Sequence, residues 1–408
     1  MDWTRRKFLV STAALSALAG CQTIYSNASS GDTQTPTSET ATRHPTDAPT
    51  PGTSTASPLG PGEPTANDTA VPVDSETDTA TSTAADSPTE TATATEPGSN
   101  PQPSGSLYRG RTIPQTPHAP GSVTPPTGVR FSPSDATPVL EASDVTDYGN
   151  VDYVADPFLF VEDGTWHMFF EILNSSRYKD APIGHARSPD GLEWTYNQVV
   201  MSNRKHLSFP LMWKHRGEYY TCPPNGKRVE LYRATNFPTD WEHLGKAIDV
   251  DYYPHDPTFV NYNGRWWLFT DRGNDSIMVY YNDSLSVDGW TPHPQNPVVT
   301  GRVEAARQGG RPIVAGGRLF LYFQDLAAHY GDKIRCYEVS RLTPRSYADR
   351  EVRGSPTLEE FSASWANRGM HTFDPWWLGP NKGWRCAVDG INSATENWTI
   401  GIVDVPPQ

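Results

Sequence analysis

The 408-residue chain carries a formal net charge of −14, spread unevenly as +2 over residues 1–21, −10 over 22–105 and −6 over the remainder. A globular part with net negative charge excludes a basic nucleic-acid binder. No apolar run after residue 20 reaches the ~18 residues needed to span a bilayer, which excludes a polytopic membrane protein.

Residues 1–21 read as an export address. Arg5-Arg6 precede Lys7-Phe8-Leu9-Val10, and a short apolar stretch follows through Leu18. That is a twin-arginine signal whose apolar region is too short for a transmembrane helix. Leu18-Ala19-Gly20-Cys21 then resembles a lipobox, with Cys21 the lipidated residue; an ordinary secretory signal with a chance cysteine is the alternative. Residues 22–128 form a Thr/Pro/Asp/Glu-rich stalk. Its segment 22–105 holds twenty threonines and a single aromatic residue, Tyr25. It cannot bury enough apolar surface to offset chain entropy, so a disordered stalk is expected. Signal and stalk together resemble the surface lipoproteins of halophilic archaea. That predicts an extracellular protein held to the outer face of the membrane by its lipid anchor only. Six Asn-x-Ser/Thr sequons (Asn27, Asn67, Asn174, Asn274, Asn282, Asn397) are candidate glycosylation sites.

From residue 129 to 408 one pattern recurs: a residue before proline, an apolar strand, a glycine turn, an aromatic strand. Asp156-Pro157 leads to Gly164-Thr165-Trp166, Phe209-Pro210 to Gly217, and Asp256-Pro257 to Gly264-Arg265-Trp266, with proline and glycine seven residues apart each time. Arg311-Pro312 to Gly317 is two residues shorter, and Asp374-Pro375 to Gly383 one longer. A third strand follows in each of the first four copies, and a polar turn leads into Trp194, Trp241 and Trp290 in the first three. Four short strands per period, with no amphipathic helix, predict an all-β, five-bladed β-propeller preceded by the signal peptide and stalk. A β-sandwich is the alternative, but it would not explain the recurrent spacing. Cys222, Cys336 and Cys386 sit in apolar runs and read as buried free thiols. Cys336–Cys386 is the one pair worth considering for a disulfide, and no Cys/His spacing suggests a zinc site.

In a propeller, equivalent inner-strand positions form a ring at one mouth of the axis. Position −1 from each proline gives Asp156, Phe209, Asp256, Arg311 and Asp374, with His255 among the residues just outside it. Carboxylates and a guanidinium gathered at one cavity are costly unless they bind something or do chemistry, although an aspartate before proline also serves as a turn cap. Arg307 and Arg302 cluster near Arg311, and Arg311 is a candidate partner for Asp256, Asp374 or an acidic glycan. The tryptophans at repeated places (Trp166, Trp266, Trp194, Trp241, Trp290) read as packing between blades. Trp376, Trp377, Tyr252 and Tyr253 flank ring positions and are candidates for a platform under a sugar face.

The Asp-Pro starts of the first and third blades resemble the five-bladed furanosidase-type glycoside hydrolases, notably family 43. The resemblance implies Asp156 as general base and Asp256 as the residue that positions the sugar. The family's general acid, in a Glu-Gly-Pro motif of blade four, corresponds here to Gly310 of Gly310-Arg311-Pro312, leaving Glu304 or Asp325 as substitutes from nearby loops. Such propellers sometimes hold a calcium near the axis, so the resemblance implies a structural calcium with His255 and His371 as indirect ligands; no other cofactor is indicated. A second resemblance spans about 150–390, through Tyr153-Val154-Ala155-Asp156-Pro157-Phe158, Leu231-Tyr232-Arg233-Ala234-Thr235-Asn236-Phe237-Pro238 and Gly310-Arg311-Pro312-Ile313. These runs are similar to the N-terminal propeller domain of plant glucosamine inositolphosphorylceramide transferases. The expected protein is a monomeric, carbohydrate-active propeller that processes a glycan or glycoconjugate with an atypical acid, Asp156 and Asp256 being catalytic. His255, Arg311, Asp374, His371, Arg307 and Trp376 are the expected substrate-binding residues. A non-catalytic glycan-binding module and a protein-interaction propeller are the alternatives.

Overall fold

The computed structural model describes residues 118–119, 125–126, 137–177, 180–359 and 365–407. The signal peptide, Cys21 and nearly all of the stalk lie outside the described residues. Five sheets follow one another along the chain, and only two short 3-10 turns, Ala142–Asp144 and Ser175–Arg177, interrupt the β-structure among the described residues.

Each sheet is a blade that meanders outward. Blade one runs Tyr153–Glu162, Thr165–Leu173, Ile183–Ser188 and Thr195–Met201, every neighbour antiparallel. Blade two is built on Met212–His215, Glu218–Thr221, Arg228–Asn236 and Asp240–Asp249; blade three on Thr258–Tyr262, Arg265–Arg272, Ser276–Asn282 and Thr291–Pro292. Blade four comprises Ile313–Ala315, Arg318–Asp325, Lys333–Thr343 and Ser346–Glu351. Blade five takes Phe373–Gly379, Gly383–Ile391 and Trp398–Val405 from the C-terminal end. Its outermost strand is Thr137–Leu140, from the start of the propeller, with Thr137 opposite Ile402. Joining the two ends of the ring in one sheet closes the propeller and removes its exposed edge. His118–Ala119 pairs in parallel with Val314–Ala315, and the Tyr322 hydroxyl donates to the Pro126 carbonyl at 3.2 Å.

The tight glycine turns form as the spacing predicts: Asp163-Gly164, Arg216-Gly217 and Asn263-Gly264 all have positive φ, the geometry of a two-residue hairpin turn. The core lies between blades. Trp166 meets Trp376 edge-on at 6.3 Å between blades one and five, Trp213 stacks on Phe259 at 5.3 Å between blades two and three, and Phe169 meets Trp241 at 6.0 Å. Each such ring removes roughly 1.5–3 kcal/mol worth of apolar surface from water, so the interfaces hold the ring together. Cys222, Cys336 and Cys386 are buried and free, as expected.

Candidate active site at the propeller axis

Asp156, Phe209 and Asp256 adopt left-handed φ of 53°, 47° and 48°. A bulge between Ala155 and Phe158 accompanies the turn in blade one. Left-handed backbone before proline is strained by about 1–3 kcal/mol, and the contacts it creates explain why it persists. Asp156 N donates to Asp389 Oδ2 at 3.1 Å. The Asp156 carboxyl accepts from Phe209 N at 3.0 Å and from the Thr372 hydroxyl at 2.7 Å. Asp156 thereby ties blades one, two and five together at the axis.

The second strands of blades one, three, four and five add a set of polar residues that the sequence reading missed. Glu171, Asp271 and Asp389 each lie five residues after a tryptophan (Trp166, Trp266, Trp384); Glu171, Asp271 and Gln324 each lie seven after the turn glycine. All four are buried. Counting onward from the aromatic, rather than back from the proline, would have found them.

His371 joins the two sets. Its Nδ1 lies 2.6 Å from Asp389 Oδ2 and 3.6 Å from Asp156 Oδ1, and Trp398 stacks on the imidazole at 4.0 Å. Asp389 also accepts from the backbone N–H groups of His371 and Thr372, each at 2.9 Å. Burial disfavours the imidazolium, but Asp389 and Asp156 outweigh it and raise His371 to about 9. Burial likewise works against a charged Asp389, but the His371 imidazolium and the backbone donors win and hold it below the usual carboxylate range. Asp156 goes the other way. Burial pushes it up to about 7, against the pull of His371 and with Glu171, Asp256 and Asp389 adding to the rise.

On the opposite side, Arg307 Nε lies 2.6 Å from Asp256 Oδ2, and the Gln324 amide donates to the same oxygen at 2.7 Å. Arg307 sits over the ring of Tyr330 at 5.5 Å, and Tyr330 meets His371 edge-on at 5.4 Å. Tyr330 remains 42% exposed, while Gly331 and Gly369 pin its loop: Met370 N donates to Gly331 O at 2.7 Å, and a Cβ on Gly331 would meet Trp398 at 2.7 Å. His206 Nε2 reaches Glu171 Oε1 at 2.9 Å; His255 Nδ1 reaches Asp271 Oδ1 at 2.9 Å beneath the exposed Tyr253.

Asp156, Asp256, His371 and Arg307 thus meet at the mouth, and His255 lies beside its own ring aspartate. Arg311, Asp374 and Trp376 lie in a different layer, which corrects the ring drawn from the prolines. Asp374 pairs with Ala387, two residues before Asp389, a level that in blade one belongs to Phe158 opposite Phe169. In blade four Ile313 pairs with Phe320, yet Gln324 N donates to the Arg307 carbonyl at 2.8 Å. The two registers differ by two residues, so Arg307, not Arg311, takes the mouth position. The shortened Pro312–Gly317 interval was the mark of this shift. Arg311 is buried, with Nε 2.7 Å from Asp374 Oδ1 and its two Nη groups donating to the carbonyls of Met212 and Leu159, each at 2.7 Å. Burial raises the Asp374 carboxyl, with Arg311 opposing. Trp376 is buried against Phe160, Trp166 and Arg311, and Trp377 against Trp384. These side chains fasten the blades to one another.

Gly310, where the family 43 resemblance places the acid, has room for no side chain: a Cβ there would lie 1.9 Å from the Phe373 carbonyl oxygen. Asp325 gives its carboxyl to Arg335 at 2.8 Å. Burial raises the Tyr337 hydroxyl, with Glu351 and Glu304 adding to it. Glu171, by contrast, acts on Asp156 directly. Asp156, His371 and Asp389 present ligand atoms within 4.8 Å of one another. That set does not fit calcium, which takes 6–8 oxygens; the nitrogen of His371 in the trio is the one bonded to Asp389 at 2.6 Å. His255 is committed to Asp271 in the same manner.

The profile of the glucosamine inositolphosphorylceramide transferase 1 N-terminal family matches residues 132–391, more than half of the chain. The chain belongs to this family. Glucosamine inositolphosphorylceramide transferase 1 of Oryza sativa subsp. japonica is 34% identical over 268 residues, covering 62% of this chain and 35% of the plant protein. The Arabidopsis thaliana protein of the same name is 33% identical over 250 residues, covering 58% and 32%. This family member therefore spans about a third of the length of these relatives. Among solved structures, the catalytic domain of the Coprinopsis cinerea GH62 α-L-arabinofuranosidase superposes with a TM-score of 0.54 and 12% identity, over 66% of this chain and 95% of that one. At that identity the likeness shows the fold alone, the five-bladed propeller.

Proposed function

We propose that the axial mouth binds the sugar portion of a glycoconjugate and processes a glycosidic bond there. The observation that carries this reading is Asp156: a buried carboxyl raised to about 7, at the convergence of three blades and within the field of Glu171 and Asp256. General acid–base groups work best when their pKa lies near the operating pH, and are typically worth 10²–10⁴-fold. In this scheme Asp156 takes a proton from water as its oxygen bonds to the anomeric carbon. The C–O bond to the leaving group breaks, and that oxygen takes a proton from the Glu171–His206 pair, which stands in for the acid that Gly310 excludes. Asp256, fixed by Arg307 and Gln324, positions sugar hydroxyls. The names of the plant relatives point to a glucosamine- and inositol-phosphate-bearing lipid headgroup as the kind of glycoconjugate to try. The lipid-anchored, extracellular placement through Cys21 belongs to the same proposal, and so does a monomeric state. Conversion of Cys21 to serine is expected to release the protein from membranes.

Glycan binding without turnover is favoured by one observation: both Asp156 oxygens already hold protein donors. The Asp156→Asn variant separates the two. Under the catalytic reading it binds headgroup oligosaccharides with near-wild-type affinity and loses at least a hundredfold in turnover. A wild-type protein that binds and releases no reducing end from any glycan of the panel would leave binding alone.

A further inference from the structure

The charges at the mouth discriminate between the two ends of such a headgroup. Four carboxyl groups, Asp156, Glu171, Asp256 and Asp389, converge there. Against them stand the guanidinium of Arg307 and the imidazolium of His371, with the half-buried His206 a third cation only when protonated. A second, independent feature points to the same kind of ligand. Gln324 is 1% exposed, and its Oε1 is buried without a hydrogen-bond partner. Its orientation is fixed: the Nε2 end donates to both Asp256 Oδ2 at 2.7 Å and the Gln308 carbonyl at 2.8 Å, so a flipped amide would set oxygen against two acceptors. A buried acceptor left unmade costs about 1–3 kcal/mol. Gln324 Oε1 lacks a donor, and the surrounding carboxyl groups favour a positive one.

We infer that the mouth recognises an amino sugar through its free ammonium group, bonded by Gln324 Oε1 and the surrounding carboxyl groups, and rejects both the N-acetylated sugar and a phosphate. This rests on the carbohydrate reading above and narrows it. A phosphate would meet surplus negative charge, and an acetamide would bring one N–H where the ammonium brings three charged ones. The half-exposed ring of Tyr330, held beside the mouth with Arg307 over it, offers apolar surface to the sugar.

The test uses the full-length protein in low-salt buffer at pH 6 with a chelator present, titrated calorimetrically with three probes. These are a glucosamine oligosaccharide of the chitosan type, its fully N-acetylated counterpart, and inositol-1-phosphate. The expected result is binding of the amine form at least tenfold tighter than the acetylated form, with no binding of the phosphate. In Glu171→Gln the ratio of amine to acetylated affinity shrinks about tenfold. Equal binding of the two oligosaccharides, or tighter binding of inositol-1-phosphate, overturns the ammonium inference and leaves the carbohydrate reading standing. Amine binding that appears only when calcium replaces the chelator overturns it as well, in favour of a metal-bridged site. If no probe binds, both readings fall. The wild-type comparison does not depend on any variant folding.

Discussion

Replacing Arg311 with methionine separates the two roles open to that residue. From its place in the chain it is a ligand for an acidic glycan; in the structure it is a clamp inside the ring. Methionine keeps most of the side-chain volume and removes the charge, so Asp374 loses the guanidinium it is paired with, and the Met212 and Leu159 carbonyls each lose a donor. Breaking a buried ion pair from one side costs about 3–5 kcal/mol, and two orphaned carbonyls add on the order of 1 kcal/mol each. For a domain of this size each kcal/mol lowers the melting temperature by roughly 2–4 °C, so thermal unfolding should fall by about 10–28 °C. The double variant Arg311→Met/Asp374→Leu should recover the share that belongs to the broken pair, because replacing a buried pair by apolar side chains is often neutral, while the two carbonyls and Leu159 N, whose acceptor is Asp374, stay unpaired.

The pH dependence of the single variant gives an independent check. Burial already raises the Asp374 carboxyl, and without Arg311 it rises further. A carboxyl whose folded pKa is raised stabilises the fold fully below its unfolded value, near 4, and loses that contribution as pH climbs to the folded value. The variant should therefore lie closest to wild type near pH 4 and diverge as pH rises. Circular dichroism melts from pH 4 to 8 measure both effects. Should Arg311→Met melt within a few degrees of wild type and yet lose glycan binding, the clamp is wrong and Arg311 is a ligand after all.

Three further outcomes follow. His371, raised to about 9 from its ordinary 6.5, stabilises the fold fully below pH 6.5 and loses that contribution through 9, so wild-type stability should decline over this window. His371→Gln should abolish the decline and cost about 3–5 kcal/mol by leaving Asp389 unpaired; calorimetric melts at pH 6, 7.5 and 9 decide. Gly331→Ala places a methyl 2.7 Å from Trp398 at φ +72°, so the Tyr330 loop must lift. Binding by the glucosamine oligosaccharide should weaken about tenfold for a loss of stability of only about 1–3 kcal/mol, read by titration and melting of one sample. Glu304→Gln should leave turnover and binding unchanged, because the field of Glu304 falls on Tyr337; a hundredfold loss of turnover would restore Glu304 as the acid.

The blade count, the glycine turns and the first and third aspartates were legible because they share one spacing, and a propeller converts equal spacing into equal height along the axis. Where the spacing changed, inference along the chain failed in a definable way. A strand pairs by register, and a hairpin or bulge absorbs extra or missing residues without leaving a mark on the proline. In blade four the shortened interval moved Arg311 one layer down and brought Arg307 up; in blade five the longer loop did the same to Asp374 and brought His371-Thr372 to the mouth. Glu171, Asp271, Gln324 and Asp389 were hidden for a different reason. Each lies one or two residues from the end of an apolar or aromatic strand, where a single polar residue reads as the edge of a core until its equivalents are aligned.

The two layers also explain how the mouth tolerates its own charge. The lower layer, Arg311 with Asp374, is neutral as a pair and hydrogen-bonded across the ring, so it fixes the blades whatever occupies the axis. The upper layer has more carboxyl groups than cations, and burial together with the neighbouring carboxyl groups raises Asp156 to about 7. Rigid blades below keep these carboxyl groups from moving apart to relieve their repulsion. What remains is to take up a proton or a cation. An axial site of this kind stores its demand for a positive ligand in the pKa of one aspartate, and a bound ammonium should show itself by releasing that proton near pH 7. Titration of the glucosamine oligosaccharide in two buffers of different ionisation enthalpy measures the release directly. A heat independent of the buffer would mean that Asp156 does not sense the ligand.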